Sequence, residues 1–197
     1  MNLVSIQAAL RDTEAVVIGA SAGAVASLTQ ILPPLPPDYP LAILIAVHVP
    51  SGKNSRIAML FQSQCRLTVK EAEDKEPIVS GTIYFAPPDY HLLVESDRHL
   101  SLSSEEPVHY SRPSIDVLFE SAADAYGRAL LAIILTGANE DGAHGVRAVC
   151  DAGGMALVQT PESAEARVMP EAALAACAEA RSMSLDAIAD LLQTRAS

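Results

Sequence analysis

The chain is poor in positive charge. Its 197 residues hold 13 Lys and Arg against 24 Asp and Glu, a formal net charge of -11. Binding along DNA or RNA needs clustered cations to neutralise phosphates, so no nucleic-acid role is expected. The same charge disfavours anionic membrane surfaces, yet it admits an acidic protein partner where local Arg or Lys line a site. Long apolar runs are also missing. The longest, LAILIAV and ALLAIIL, are far too short to span a bilayer, so no membrane insertion is expected. The start, MNLVSIQAAL, has neither a basic region nor a small-residue cleavage site, which argues against a signal peptide. Cysteine is scarce: Cys65, Cys150 and Cys177 are odd in number and have no metal-ligand spacing. That speaks against a disulfide framework and a zinc site and for reduced thiols in a cytoplasm. There is no internal repeat and no low-complexity tail.

What is present is globular. Hydrophobic residues make up 50% and charged residues 19%, at a length that suits one domain, 1–197, around one sizeable core. Apolar strand-like runs alternate with helix-like runs. AVVIG, LAILIAV, RLTVK, TIYFA, ALLAIIL and MALVQ read as strands. AGAVASLTQIL, SRIAMLFQSQ, SIDVLFESAADAYG, DGAHGVRAVCDAG, EAALAACAEA and LDAIADLLQ read as helices, with Ser114 as an N-cap of the third. HLLVE and HLSLS read as a hairpin, and Ser103 to Pro113 as an exposed loop. The long strands are apolar without alternation, so both of their faces are buried. The expected fold is α/β: a doubly wound, mostly parallel sheet with helices on both faces and a small antiparallel hairpin.

The loop GASAG, between the first strand and first helix, sets Ser21 between Gly19 and Gly23. A dinucleotide loop wants glycine where Ser21 stands, and a phosphate-cradling P-loop wants a lysine the turn lacks. The pattern does fit G-x-S-x-G, in which small neighbours let a strand turn sharply and lift a serine hydroxyl onto a helix N-terminus. The motif alone fits a nucleophile and a capping serine equally well. A nucleophilic serine needs a base and a group to orient it. His48 directly follows LAILIAV, and Asp141 follows ALLAIIL by a short turn. All three residues lie just past the C-terminal ends of expected parallel strands, the edge where open α/β sheets bind ligands. Among the other histidines, His144 is the best rival base and reads instead as a partly exposed helix residue. His91 and His99 read as surface or packing residues of the hairpin, and His109 as part of the exposed loop.

The motifs VVIGASAGA, HVPSG, KEAED, FAPPDYH, RPSIDVLF, ILTGANEDGAHG and MPEAA, in this order, resemble the catalytic domain of the CheB-type chemotaxis protein-glutamate methylesterases. The resemblance runs from about Val16 to Leu192. It implies a serine-triad esterase with Ser21 as nucleophile, His48 as general base and Asp141 as its orienting carboxylate. The implied substrate is a glutamate methyl ester on chemoreceptor helices, with glutamine deamidation alongside, in a cytoplasmic protein that needs no metal and no organic cofactor. Other chemotaxis signalling proteins are further implied partners.

Four positions depart from the family pattern. Ala22 and Ala24 replace a hydroxyl residue and a glycine of the serine loop, and Ala138 and Asn139 replace the methionine and glycine of TGMG. A lost oxyanion donor can cost about a hundred- to a thousand-fold in rate, so the expected donors are backbone N–H groups at Ala22, Gly23 and Ala138. These departures also raise the alternatives of a non-catalytic or altered-specificity docking module and of an esterase for an unrelated small ester. Typical members carry an N-terminal receiver domain. About fifteen residues precede the first strand here, so control by phosphorylation within this chain is not expected. Lys53, Arg56, Arg112 and Arg167 fall in the site-bearing segments and are candidates for docking an acidic substrate.

Overall fold

The computed structural model describes residues 10–48 and 56–194. Among them, strand β1 (Ala15–Ala20) leads into helix α1 (Ala24–Ile31), and β2 (Ala42–Val47) precedes α2 (Ile57–Gln62). Then come β3 (Thr68–Glu71), β4 (Thr82–Phe85), β5 (His91–Val94), β6 (Leu100–Ser103) and α3 (Ile115–Tyr126). The last part holds β7 (Leu130–Ile134), α4 (Ala143–Asp151), β8 (Met155–Gln159), α5 (Val168–Ala176), β9 (Arg181–Met183) and α6 (Leu185–Thr194).

Seven strands form one parallel sheet in the order β3-β4-β2-β1-β7-β8-β9. Every residue of β1, β2 and β7 is buried, which is why their sequences are apolar without alternation. Successive side chains still serve opposite faces. Val16, Ile18, Ile43 and Ile45 join Leu28 and Ile31 of α1, Phe61 of α2 and Ile188 of α6 in one core. Val17, Leu44 and Ala132 join Leu118 and Phe119 of α3, Val146 of α4 and Ala173 of α5 in the other. The β5–β6 pair is the expected antiparallel hairpin. The fold class read from the sequence is therefore the observed one. The short β9 is not marked by any apolar pattern, because its sequence is only RSM.

Two expectations are corrected here. Cys150 and Cys177 are joined in a disulfide, not held as two separate thiols. They lie 27 residues apart in sequence, but α4 and α5 share one face of the sheet and bring their Cα atoms to 6.6 Å. Sequence spacing cannot reveal such a pair. The loop before α3 is exposed only in part: Ser104 to Pro107 and Tyr110 face solvent, whereas Ser111 and Arg112 are half-buried and Pro113 is buried.

The strand order reverses between β1 and β7. From β1 the chain steps to β2 on one side, and from β7 to β8 on the other. The crevice at such a switch point, beyond the C-terminal strand ends, is where α/β sheets take their ligands. Helices α3 and α4 pack closely across one end of this crevice. A Cβ added at Gly145 of α4 would lie 2.5 Å from Phe119 Cβ and 3.3 Å from Asp116 Cα, both in α3. Gly145→Ala is therefore expected to destabilise the protein by about 1–3 kcal/mol through overpacking. The measurement is the urea midpoint at unchanged m-value.

Candidate active site

Ser21 is the first residue past β1. Its N–H donates to the Thr136 carbonyl beyond β7 at 2.9 Å, which ties the two strand ends of the switch point together. The turn into α1 needs Gly23 for two reasons. Its φ is 81°, and an added Cβ would meet Glu165 Oε2 at 2.8 Å and Thr136 Cγ2 at 3.0 Å. Thr136 also donates its hydroxyl to the Ala22 carbonyl at 2.8 Å. Among the described residues, the N–H groups of Ala22, Gly23 and Ala138 have no hydrogen-bond acceptor. They remain available as donors around the serine.

His48 is the first residue past β2, and its N–H donates to the Ala20 carbonyl at 3.2 Å, beside Ser21. Its Nε2 lies 2.6 Å from Asp141 Oδ2. Asp141 is completely buried. Its Oδ2 also accepts from the Ile115 N–H at 2.7 Å, and its Oδ1 accepts from the Ser114 hydroxyl at 2.8 Å and the Asp116 N–H at 3.0 Å. Burial alone would raise the pKa of this carboxyl. The hydrogen bond from His48, those from the Ile115 and Asp116 N–H groups and the His48 charge outweigh it, and the pKa lies below the ordinary value. An ionised Asp141 can only accept, so Nε2 carries a hydrogen, and in the neutral imidazole Nδ1 is then the nitrogen with the lone pair. Ser111 Oγ and Asn139 Nδ2 each lie 3.4 Å from that Nδ1. His48 thus meets Asp141 directly. No hydrogen bond joins it to the Ser21 hydroxyl among the described residues.

Asp141 also does the work the sequence assigned to Ser114. The Ser114 side chain does not cap α3; it turns to Asp141, and Asp141 receives the first N–H groups of that helix. Asp116 of α3 returns the arrangement, since its Oδ1 accepts from the Gly142 and Gly145 N–H groups of α4 at 2.9 and 2.7 Å. Burial, with help from the Asp141 charge, raises the Asp116 pKa against those two bonds. His91 is not at the surface but buried: Nδ1 accepts from the Ser114 N–H at 3.1 Å and Nε2 donates to the Glu106 carbonyl at 3.1 Å. Asp116, His91, Ser111 and Asn139 were not singled out as parts of the site by sequence reasoning. All four lie within or beside motifs it had quoted, FAPPDYH, RPSIDVLF and ILTGANEDGAHG.

His99 pairs with Asp97 at the hairpin and His144 is exposed, away from the bond between His48 and Asp141. Among the candidate docking cations, Arg56 is exposed and Lys53 lies outside the described residues. Arg112 Nη1 donates to the carbonyls of Ser104 and Glu105 at 2.8 and 2.9 Å, so its guanidinium shapes its own loop. Arg167 pairs with Glu171 at 2.7 Å on the surface. The free thiol of Cys65 has its pKa raised by burial to about 11, so it is no nucleophile at neutral pH. No helix of the described residues is long and apolar enough to cross a membrane.

A parallel sheet with a serine, a histidine and a buried carboxylate at its switch point defines an α/β protein with the side chains that serine hydrolases use. Comparison with known proteins narrows this class. The family model for CheB methylesterase matches residues 16–192. A Leptospira interrogans protein whose name, protein-glutamate methylesterase/protein-glutamine glutaminase, is provisional is 45% identical over 90% of this chain and 92% of its own length. Protein-glutamate methylesterase/protein-glutamine glutaminase 1 of Cupriavidus metallidurans is 41% identical over 87% of this chain, which spans 49% of that longer protein. The crystal structure of the Thermotoga maritima CheB methylesterase catalytic domain superposes with a TM-score of 0.87 at 32% identity, covering 92% of this chain and 98% of that one. The chain belongs to the CheB methylesterase family.

The depressed pKa of Asp141 fixes a sign. A carboxyl whose pKa is lower folded than unfolded contributes stability above the unfolded value, about 4, and loses it as pH falls through the folded value. Asp141→Asn is expected to cost about 1–3 kcal/mol at neutral pH, because an amide cannot accept all the N–H and O–H donors gathered there. Its stability should then fall less than that of the parent chain on acidification. Urea midpoints measured from neutral pH down to the acid limit test both parts.

Proposed function

We propose that the chain is a serine carboxylesterase that hydrolyses glutamate methyl esters on chemoreceptor helices, and deamidates glutamines there, in the cytoplasm of a chemotactic bacterium. The whole chain acts as one catalytic unit without a cofactor. The observation that carries this reading is the 2.6 Å bond between His48 and the ionised Asp141, next to Ser21 at the switch point. The relatives' names supply the substrate class.

In this reading Ser21 Oγ attacks the ester carbonyl while His48 Nδ1 takes its proton. Asp141 stabilises the imidazolium through Nε2. The tetrahedral oxyanion is held by N–H groups of Ala22, Gly23 and Ala138, which have no acceptor among the described residues, the first two at the N-terminus of α1. Protonation by Nδ1 releases methanol from an ester, or ammonia from a glutamine, and leaves an acyl-serine. Water, deprotonated by the same nitrogen, then frees the glutamate. Backbone donors make the loss of a hydroxyl at Ala22 tolerable. Ser21→Ala and His48→Gln should each lower methanol release from methylated receptor membranes by about a thousand-fold or more while remaining folded. Near-parental turnover by Ser21→Ala would end this mechanism.

Receptor helices rich in glutamate must approach a chain of net charge -11. With Arg112 committed to its loop, Lys53 and Arg56 after the His48 step are the cations we assign to docking, with Arg167 as an outlying contributor. Reversing the charge of both Lys53 and Arg56 should weaken receptor hydrolysis in a salt-dependent way and spare a small neutral ester. Parallel loss on both substrates would remove the docking role.

A further inference from the structure

We infer that His109, Asp116 and His144 form a binding site for a divalent transition metal, with zinc the best match. One donor atom from each side chain lies within 4.8 Å of the others. His109 Nε2 and Asp116 Oδ2 are 3.6 Å apart, too far for a hydrogen bond and close to the ~3.3 Å between neighbouring ligands of tetrahedral zinc. Two imidazoles and one carboxylate are a common donor set for zinc, and three protein ligands leave a fourth position for water.

The surroundings support the set. Asp116 is buried, and its Oδ1 is held by the Gly142 and Gly145 N–H groups, which leaves Oδ2 aimed at His109 with no hydrogen-bond donor on it among the described residues. His109 Nδ1 lies 4.0 Å from the exposed Glu140 Oε1, beyond hydrogen-bond reach, so that carboxylate adds negative charge near the ring without orienting it. The His109 and His144 rings are 6.0 Å apart and inclined by 73°, so neither stacks flat on the other. Glu120 and Asp141 add negative charge around Asp116, which favours a cation despite the helix N-terminus at His144.

The sequence reading expected no metal, because the cysteines have no metal-ligand spacing and the family resemblance implies none. The fold brings the three side chains together: His109 lies on the loop before α3, Asp116 in the first turn of α3 and His144 in the first turn of α4. A bound ion would pin that loop, whose Ser111 lies 3.4 Å from His48 Nδ1, to both helices. The site does not depend on the esterase mechanism.

Titration of tag-free protein with Zn²⁺ by calorimetry, and with Co²⁺ by visible absorption, tests the inference. One ion per chain is expected, with the intense visible bands of tetrahedral cobalt. His109→Ala and His144→Ala, both at accessible positions, should each weaken affinity by about ten-fold or more. His99→Ala, at the hairpin, and Cys65→Ser should bind as the parent does. Unchanged affinity in both His109→Ala and His144→Ala, or loss of binding in His99→Ala or Cys65→Ser, would overturn the site.

Discussion

The carboxylate of Asp141 is the point on which the site depends. It is fully buried, and such an ion is tolerated only because donors surround it. Those donors come from two separate parts of the chain, the imidazole after β2 and the hydroxyl and N–H groups at the start of α3, and they meet on a side chain carried between β7 and α4. Removing any one partner leaves the charge less compensated and frees the element that supplied it. One interaction thus fixes the tautomer of His48, begins α3 and positions the turn before α4.

The reciprocal capping of α3 and α4 makes this arrangement rigid. Asp141 serves the N-terminus of α3 and Asp116 serves that of α4, across a contact so close that only glycine fits at 145. The two carboxyl groups are driven in opposite directions. Asp141 is held ionised by donors on both oxygens, while Asp116 has donors on one oxygen only and a neighbouring negative charge. An ionised carboxylate and a second carboxyl with an open oxygen therefore coexist at the facing N-termini of α3 and α4. The serine side of the crevice is built differently, from backbone. Gly23 and the Thr136 carbonyl and hydroxyl shape it, and among the described residues the N–H groups of Ala22 and Gly23 have no acceptor.

Much of this was legible in the sequence. Unalternated apolar runs such as AVVIG and ALLAIIL encode strands buried on both faces, and a parallel sheet follows from the helices between them. Residues just past those strands, Ser21, His48 and Asp141, are gathered because parallel strands end on one edge. What was not legible depends on packing between distant helices. Ser114 has the local signature of an N-cap, but a buried charge competes for its hydroxyl and wins. Cys150 and Cys177 look like isolated thiols until α4 and α5 lie side by side. His91 sits in an ordinary hairpin sequence, yet its ring joins the loop at Glu106 to the start of α3. Asn139 reads as a departure from a glycine pattern, and only its place beside His48 Nδ1 gives it a part in the site.

Ser111 lies 3.4 Å from that same nitrogen, while Ser21 follows β1, the strand paired with the one that His48 follows. We propose that Ser21 is the serine His48 activates. Reaction of the folded protein with a fluorophosphonate, followed by peptide mapping in a mass spectrometer, addresses it directly. The account predicts a single stoichiometric adduct on Ser21 that is lost when His48 is replaced by Gln. An adduct on Ser111, or labelling of Ser21 that does not depend on His48, would contradict it.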